Sequence, residues 1–200
     1  MARRSEHSRE ELHAMVLEAA ERIVVAEGYR GLNARKVAAA IGYTVGTLYL
    51  VFENLDDLAL QVNARTLDAL YARMVAQLED CHSAPDCLQR LGQAYVRFAT
   101  EHANRWSMIY ELSLASDHTL PDYYRDKVQR ALSLVEQALT PLMNGKPRSE
   151  IAQAARALWG GVHGICILAL TNRLDVAGTE SVEALSTILV RNFVAGLTQG

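Results

Sequence analysis

The sequence predicts an all-α fold of about nine helices. Apolar residues recur with the helical period along most of the chain, and no stretch alternates apolar and polar residues over a useful length for a strand. The four prolines and twelve glycines stand mostly at breaks between these periodic segments. Half of the 200 residues are hydrophobic, which is enough for a sizeable core in one or two small domains.

The segment between residues 33 and 58 predicts two short helices joined by a tight turn. Asn33 can cap the first helix, because its side-chain oxygen can accept from the free N–H groups at a helix start. Gly42 can end that helix, since glycine tolerates a positive φ, and Thr44 can cap a second helix from Val45 to Phe52. This arrangement is typical of a helix-turn-helix, whose second helix enters the DNA major groove.

The predicted second helix has one face for the core and one face for contact. Leu48 and Phe52 are four residues apart, so both can point inward. Val45, Thr47 and Tyr49 lie on the opposite face, where little else in the segment can bury them. We therefore expect this opposite face to meet DNA.

Two longer helices are predicted on either side of this segment. Ser8 and Glu11 form a capping box, and the helix that follows should end at Gly28 and complete a three-helix unit. A second helix, from Asn54 to about Leu78, would pack on this unit at its start and on the rest of the chain further along. We therefore predict a DNA-binding domain over residues 1–57 and an effector-binding and dimerisation domain over residues 58–200.

The later helices are predicted from apolar stripes and from the residues that interrupt them. Their expected extents are 88–101, 106–116, 121–142, 149–171 and 179–198. The fourth is apolar almost all round, and Gly160, Gly161 and Gly164 would permit close helix approach. One small domain rarely covers such a helix on both sides, so the pattern predicts a partner subunit.

Composition and charge exclude several classes of protein. The net charge is −3, and the first 60 residues carry seven Lys/Arg against nine Asp/Glu, so bulk charge does not indicate nucleic-acid binding. The polar N-terminus is not a signal peptide, and the apolar run from Ala157 to Leu170 is short of the about 20 residues that cross a bilayer. That run predicts a buried helix in a soluble, cytoplasmic protein without membrane partners.

Three cysteines, without a C-x-x-C pair, favour a reducing cytosol. Cys81, His82 and Cys87 cluster around a predicted loop, where incidental thiols are favoured over a metal site. No Gly-rich phosphate loop, H-E-x-x-H or G-x-S-x-G motif is present, and Asp56-Asp57 is explained by helix capping. The sequence therefore predicts no metal, no cofactor and no enzyme activity.

The helix-turn-helix segment resembles the TetR family of bacterial regulators over about residues 8–60. The matching residues are Val37-Ala38, Ile41-Gly42, Thr44-x-Gly46-Thr47-Leu48-Tyr49, Phe52 and Leu58. Family positions that usually carry polar or basic residues here hold Val45, Leu50, Val51 and Leu55, so several usual phosphate partners are missing. The predicted DNA contacts are Arg3, Arg4, Arg35, Lys36, Thr44, Val45, Gly46, Thr47 and Tyr49.

Trp159, His163 and Gly164 resemble the Trp-His-Gly (WHG) motif of one class of TetR-family C-terminal domains. The resemblance implies that the last two helices form a four-helix bundle with their copies in a homodimer. The predicted interface residues are Gly161, Val162, Ile165, Ala169, Leu185, Leu189 and Phe193.

Aromatic and amphipathic side chains of the second domain predict an effector site. The candidates are Tyr95, Phe98, Trp106, Tyr110, Tyr124, Trp159 and His163. An apolar cavity with few polar groups suits a hydrophobic or aromatic small molecule, although core packing is the favoured interpretation for each of these residues alone.

The sequence as a whole predicts a homodimeric transcription regulator that binds a palindromic double-stranded operator and responds to a small-molecule effector. The repressor sign is implied by the family resemblance. Two alternatives remain open, namely an architectural DNA-binding protein that ignores effectors and, less favoured, an all-α enzyme. Specific DNA binding without turnover would exclude the enzyme, and operator affinity that no metabolite changes would favour the architectural protein.

Overall fold

The computed structural model describes residues 7–112, 120–174 and 181–198. Those residues contain nine α-helices and no strand, which confirms the all-α prediction. The helices are α1 (Arg9–Glu27), α2 (Ala34–Ile41), α3 (Val45–Leu48), α4 (Leu55–Ala76), α5 (Ala84–Glu101), α6 (Ala103–Glu111), α7 (Asp122–Leu139), α8 (Arg148–Leu170) and α9 (Val182–Thr198). Single 3₁₀ turns, Tyr29–Gly31 and Thr140–Leu142, follow α1 and α7.

The chain divides into two compact units. The N-terminal unit comprises residues 1–66 and 104–120, and the C-terminal unit comprises residues 67–103 and 121–200. The division assigns α6 to the N-terminal unit and divides α4 between Thr66 and Leu67. The residue contacts thus divide the two units between residues 66 and 67. The expected boundary between residues 57 and 58 concerns function and stays a prediction.

The helix starts of the N-terminal unit follow the expected caps. The Ser8 hydroxyl accepts from the Glu11 N–H at 3.1 Å, and the Glu11 carboxylate accepts from the Ser8 N–H at 2.7 Å. This hydrogen bond from the Ser8 backbone lowers the pKa of Glu11. Asn54 accepts from the Asp57 N–H at 2.8 Å, which caps α4 as the sequence predicts.

The helix-turn-helix differs from the prediction in its second helix. Asn33 caps α2 by accepting from the Lys36 N–H, and Gly42 ends it at a φ of 74°, both as expected. Thr44 is the N-cap residue of α3 as expected, but its side chain makes no cap hydrogen bond, and its hydroxyl lies 3.0 Å from the Thr47 hydroxyl. α3 ends at Leu48, because the next backbone bonds tighten into turns that bring Phe52 into the core.

Polar side chains fasten α6 to α1 and α4 within the N-terminal unit. The Asn104 amide donates to the Val25 carbonyl at 2.9 Å, and the Asn63 amide donates to the Met108 carbonyl at 3.2 Å. Glu21 on α1 bridges Arg65 and Arg105. Met108 is fully buried in the hydrophobic core of this unit, so α6 is a structural part of it.

In the C-terminal unit, α8 and α9 keep much of their apolar surface uncovered. On α8 only Ile151, Ala155, Leu158, Val162 and Cys166 are buried. Within one chain the run from Ala157 to Leu170 is therefore only partly buried, and burial of its other side by a partner subunit stays a prediction. By length and composition the 23-residue α8 could cross a membrane, but one such helix is weak evidence, and 28% of its most apolar window is buried.

The cysteines also differ from the prediction. Cys81, in the loop between α4 and α5, forms a disulfide with Cys87 in the first turn of α5, so the expectation of incidental thiols there is wrong. Cys166 is free and buried, and burial raises the pKa of its thiol to about 12. Among the described residues, no group of three or more His, Cys, Asp and Glu side chains is placed to hold a metal ion.

Candidate DNA interface and effector cavity

The α3 region presents a small exposed surface, which we call the recognition surface and define as Thr44, Gly46, Thr47, Tyr49 and Leu50. Tyr49 is 48% exposed and Leu50 is 67% exposed. Thr44 and Gly46 are exposed as well, whereas Thr47 is half-buried. Hydroxyls, a bare backbone position and an apolar side chain can together contact phosphates, base edges and thymine methyl groups.

Buried residues behind the recognition surface hold it in place. Leu48 and Phe52 are 2% and 3% exposed, as the sequence predicts. The His13 ring stacks on Phe52 with the ring centroids 4.5 Å apart, and its Nε2 lies 2.8 Å from the Gln61 side-chain oxygen. Asp57 in turn accepts from the Gln61 amide at 2.9 Å. α1 and α4 therefore fix the position at which α3 ends.

The predicted cationic contacts are only partly available. Arg35 and Lys36 are exposed on α2, but the Lys36 ammonium pairs with the Glu27 carboxylate. Arg3 and Arg4 lie outside the described residues. The DNA role of all four stays a prediction.

Two apolar residues near α3, Val45 and Leu50, differ in how far their side chains are exposed. Val45, a predicted base contact, is half-buried and packs against the unit's core. Leu50, which was not predicted as a contact, is the more exposed of the two. The sequence signal was present, because Leu50 falls off the inward stripe that Leu48 and Phe52 define.

The described part of the C-terminal unit contains a partly open apolar cavity that suits an effector. Its volume is about 40 Å³, and α4, α5, α7, α8 and α9 all contribute to its walls. The lining residues are Met74, Leu88, Leu91, Gly92, Tyr95, Val135, Leu158, Trp159, Val162 and Val190. A larger groove of about 250 Å³ at α7 and α8 is lined mostly by polar residues and by no aromatic side chain, so the smaller cavity is the better candidate.

Three of the predicted effector residues meet at this cavity. Tyr95 and Trp159 line it, and the Tyr95 hydroxyl lies 3.0 Å from His163 Nδ1. The indole of Trp159 stacks on the His163 ring with centroids 5.3 Å apart. Burial lowers the pKa of His163, which favours the neutral imidazole in this largely apolar setting. Tyr95 and His163 therefore give the cavity a polar margin.

The other four predicted effector residues lie away from the cavity lining. Phe98 and Tyr124 are buried in the C-terminal unit, where Phe98 packs on the His102 ring. Trp106 and Tyr110 belong to the N-terminal unit, with their rings 5.1 Å apart. The sequence missed most of the aliphatic lining, because an aliphatic residue on a helix stripe carries no sign that distinguishes a cavity wall from solid core. An effector role for these four stays a prediction.

The predicted dimer residues separate into two groups. Val162 is buried in the cavity wall, and a Cβ on Gly161 would lie 2.7 Å from Leu189 Cδ2 of the same chain, so both serve packing within one chain. Ile165, Ala169, Leu185, Leu189 and Phe193 are half-buried and stay available for a partner. Leu168 and Ile188, which were not predicted, are 43% and 42% exposed.

Comparisons with known proteins agree on the family. Residues 16–62 match the description "Bacterial regulatory proteins, tetR family", and residues 88–193 match "Tetracyclin repressor-like, C-terminal domain". An uncharacterised HTH-type transcriptional regulator of Mycobacterium tuberculosis is 24% identical over 182 residues, which cover 91% of this chain and 79% of that protein.

Solved structures share the fold at low sequence identity. A protein of unknown function from Rhodococcus sp. RHA1 superposes with a TM-score of 0.78 at 21% identity, covering 98% of this chain and all of the other. The transcriptional regulator FadR from Bacillus subtilis, in complex with stearoyl-CoA, gives a TM-score of 0.72 at 17% identity and covers 92% of this chain and 98% of that one. Since the second family description alone spans more than half of the chain, this protein belongs to the TetR family of DNA-binding transcriptional regulators, which are not enzymes.

Proposed function

We propose that this regulator is a cytoplasmic homodimeric repressor, which binds a pseudo-palindromic operator and is released by a hydrophobic or aromatic small molecule. The observation that carries the effector half of the proposal is the apolar cavity, whose walls include Met74 on α4. α4 also begins in the N-terminal unit, so one helix belongs to both the DNA-binding unit and the cavity wall.

Uncovered apolar surface on α8 and α9 supports the homodimer. Leu168 and Ile188 are exposed, and an added Cβ at Gly160, Gly164 or Gly196 would meet nothing within 4 Å. A second copy of the same two helices could cover this surface and approach closely at the glycines. A twofold dimer would then present two recognition surfaces about one turn of DNA apart, or a multiple of it, and read a pseudo-palindrome.

Replacing Thr47 by alanine should weaken operator binding by roughly 2–12-fold, because a single neutral hydrogen bond contributes about 0.5–1.5 kcal/mol net. The operator is first selected from a random double-stranded library with the wild-type protein and then footprinted. Affinity is measured on that operator and on variants of each base pair, and the loss should be concentrated at particular positions.

The matched control for this measurement is Thr140→Ala, which removes an exposed threonine hydroxyl from the C-terminal unit. We expect the control to bind as the wild type does. A single asymmetric footprint, or an equal loss for both variants, would contradict the proposed mode of DNA binding.

The size of the cavity indicates how an effector would act. Ligand pockets in proteins typically measure about 300–1,000 Å³, whereas this cavity measures about 40 Å³. An effector that needs a pocket of the usual volume must therefore push apart the walls of this cavity, which include α4 and α5. The stearoyl-CoA bound by the structurally similar FadR supports a long hydrophobic ligand class.

Separation of the walls could release DNA through α4. An effector shifts the equilibrium only if it binds the released state better than the DNA-competent state. Coupling of this kind is typically about 1–3 kcal/mol, or roughly 5–150-fold in operator affinity, and DNA must weaken effector binding by the same factor.

Replacing Trp159 by alanine should change how the protein responds to the effector. In the absence of effector, the operator affinity of the variant should stay within about twofold of that of the wild type. The side chain lines the cavity and its loss enlarges the space, so the effector concentration for half-release should shift by about tenfold, within the typical range of allosteric coupling. The measurement is a paired operator titration with and without stearoyl-CoA, stearate, coenzyme A or a neutral aromatic amine.

Tyr123→Ala is the control for this titration, because Tyr123 is 42% exposed on α7 and lies outside the cavity lining. We expect it to respond as the wild type does. If none of the hydrophobic compounds changes the operator affinity, the result would favour the alternative of an architectural DNA-binding protein.

A further inference from the structure

The loop between α4 and α5 carries a feature that the proposed function does not use. A disulfide joins Cys81 in this loop to Cys87 in the first turn of α5, with the two Cα atoms 5.1 Å apart. Disulfides usually join Cα atoms separated by about 4.4–6.8 Å, so the backbone already holds the two sulfurs at a distance that allows the bond. Both cysteines are half-buried and therefore reachable by small reagents.

Hydrogen bonds within the segment from Cys81 to Cys87 hold the loop in this shape independently of the disulfide. The Ser83 hydroxyl accepts from the Asp86 N–H at 3.3 Å, and the Asp86 carboxylate accepts from the His82 N–H at 3.1 Å. Arg90 also donates to Asp86 at 3.0 Å, and these contacts, led by the His82 backbone bond, lower the pKa of Asp86. The loop therefore keeps both sulfurs close even when the bond between them is open.

The proposed cytoplasmic location indicates what role such a cysteine pair has. Disulfides in cytosolic proteins are usually transient and are catalytic or redox-sensing, because the thiol pool keeps permanent ones from persisting. Cys166 provides the contrast within the chain, since it is fully buried and its pKa is raised to about 12, which leaves almost no thiolate to react.

We propose that Cys81 and Cys87 form a reversible thiol–disulfide site, which low-molecular-weight disulfides oxidise and thiols reduce. One protein thiolate attacks a sulfur of the small disulfide, which breaks the S–S bond and releases one small thiolate. The second protein thiolate then attacks this mixed disulfide, forms the Cys81–Cys87 bond and releases the second small thiolate. The two protein thiols lose two electrons and two protons, and the two released thiols take them up.

The site also adjoins two walls of the apolar cavity. Met74 lies on α4, seven residues before Cys81, and Leu88 directly follows Cys87. The disulfide adds a covalent tie between these two walls, whereas in the dithiol only the hydrogen bonds of Ser83 and Asp86 resist their separation. The reduced regulator should therefore admit a hydrophobic ligand more readily than the oxidised one, a consequence that rests on the proposed effector-binding function.

The redox site itself is tested on the full-length protein without DNA. The protein is equilibrated in oxidised and reduced glutathione mixtures, acid-quenched, denatured and labelled with a polyethylene glycol maleimide, which adds one gel step per free thiol. We expect one step after oxidation and three after reduction, and Cys166→Ser should give none and two. Three steps in excess oxidised glutathione, or one step in excess dithiothreitol, would overturn the proposal.

The link to the cavity is tested with the neutral dye N-phenyl-1-naphthylamine, whose fluorescence rises in apolar surroundings. The reduced protein should bind the dye about fivefold or more tightly than the oxidised protein, within the typical range of allosteric coupling. Cys81→Ser/Cys87→Ser should bind like the reduced protein under both conditions. Equal dye affinity of the oxidised and reduced proteins would overturn the link between the disulfide and the cavity. If the effector fails to release the operator in the separate titration, that result would contradict only the proposed function.

Discussion

Replacing Trp106 by alanine is expected to lower the free energy of unfolding by about 3–5 kcal/mol, which is the usual cost of truncating a fully buried tryptophan. Trp106 is 0% exposed on α6, within the N-terminal unit. A loss of this size lowers the melting temperature by roughly 10 °C in a chain of 150–250 residues. Operator binding should therefore fail at temperatures at which the wild type still binds.

Tyr110→Ala serves as the matched control, because this neighbouring aromatic residue is 39% exposed. Its cost should stay below about 1.5 kcal/mol, as expected for a largely surface position. Thermal unfolding followed by circular dichroism compares the two variants. A Trp106→Ala protein that melts with the wild type but responds differently to effectors would show that Trp106 is a cavity wall after all.

Replacing Ile188 by arginine is expected to convert the dimer into a monomer and to weaken operator binding by more than about 100-fold. Ile188 is 42% exposed on α9, so a charge there costs little within one chain but would be buried between two copies. The loss in DNA binding is large because linking two half-site contacts typically contributes about 10²–10⁴-fold in avidity. Sedimentation velocity and operator titration measure the two effects.

The control for this experiment is Val128→Glu, which places a charge at a 36% exposed position on α7. It should remain dimeric and bind the operator normally. A wild-type chain that sediments as a monomer at micromolar concentration would contradict the proposed dimer. Gly161→Arg is a poor test, because the new side chain would clash with Leu189 of its own chain and disturb the fold.

Local features of the fold could be predicted from the sequence because each depends on a few neighbouring residues. Ser8, Asn33 and Asn54 accept the cap hydrogen bonds, and Gly42 adopts the positive φ that ends α2. The Thr44 side chain makes no cap hydrogen bond because another hydroxyl, that of Thr47, lies within reach and competes for it. Sequence spacing does not show which of two local partners a hydroxyl prefers.

Features that depend on distant parts of the chain could not be predicted in the same way. The spacing of Trp106 placed it correctly on a helix but did not reveal that α6 joins the N-terminal unit. Gly161 was correctly marked as a point of close helix approach, yet the approaching residue is Leu189 of the same chain. Likewise, the separation of Cys81 and Cys87 allowed a bond but could not establish that the loop folds back far enough to form one.

The scarcity of cations beside the recognition surface has a consequence for how this regulator behaves as the ionic conditions around it change. DNA-binding affinity falls with rising salt in proportion to the number of phosphates neutralised, because each neutralised phosphate releases condensed counterions. In the described part of the chain, Lys36 is already engaged by Glu27, and hydroxyl, glycine and leucine positions dominate the exposed tip. The salt dependence of operator binding should therefore come mainly from Arg35 and from Arg3 and Arg4, and replacing Arg3 and Arg4 by alanine should make it less steep.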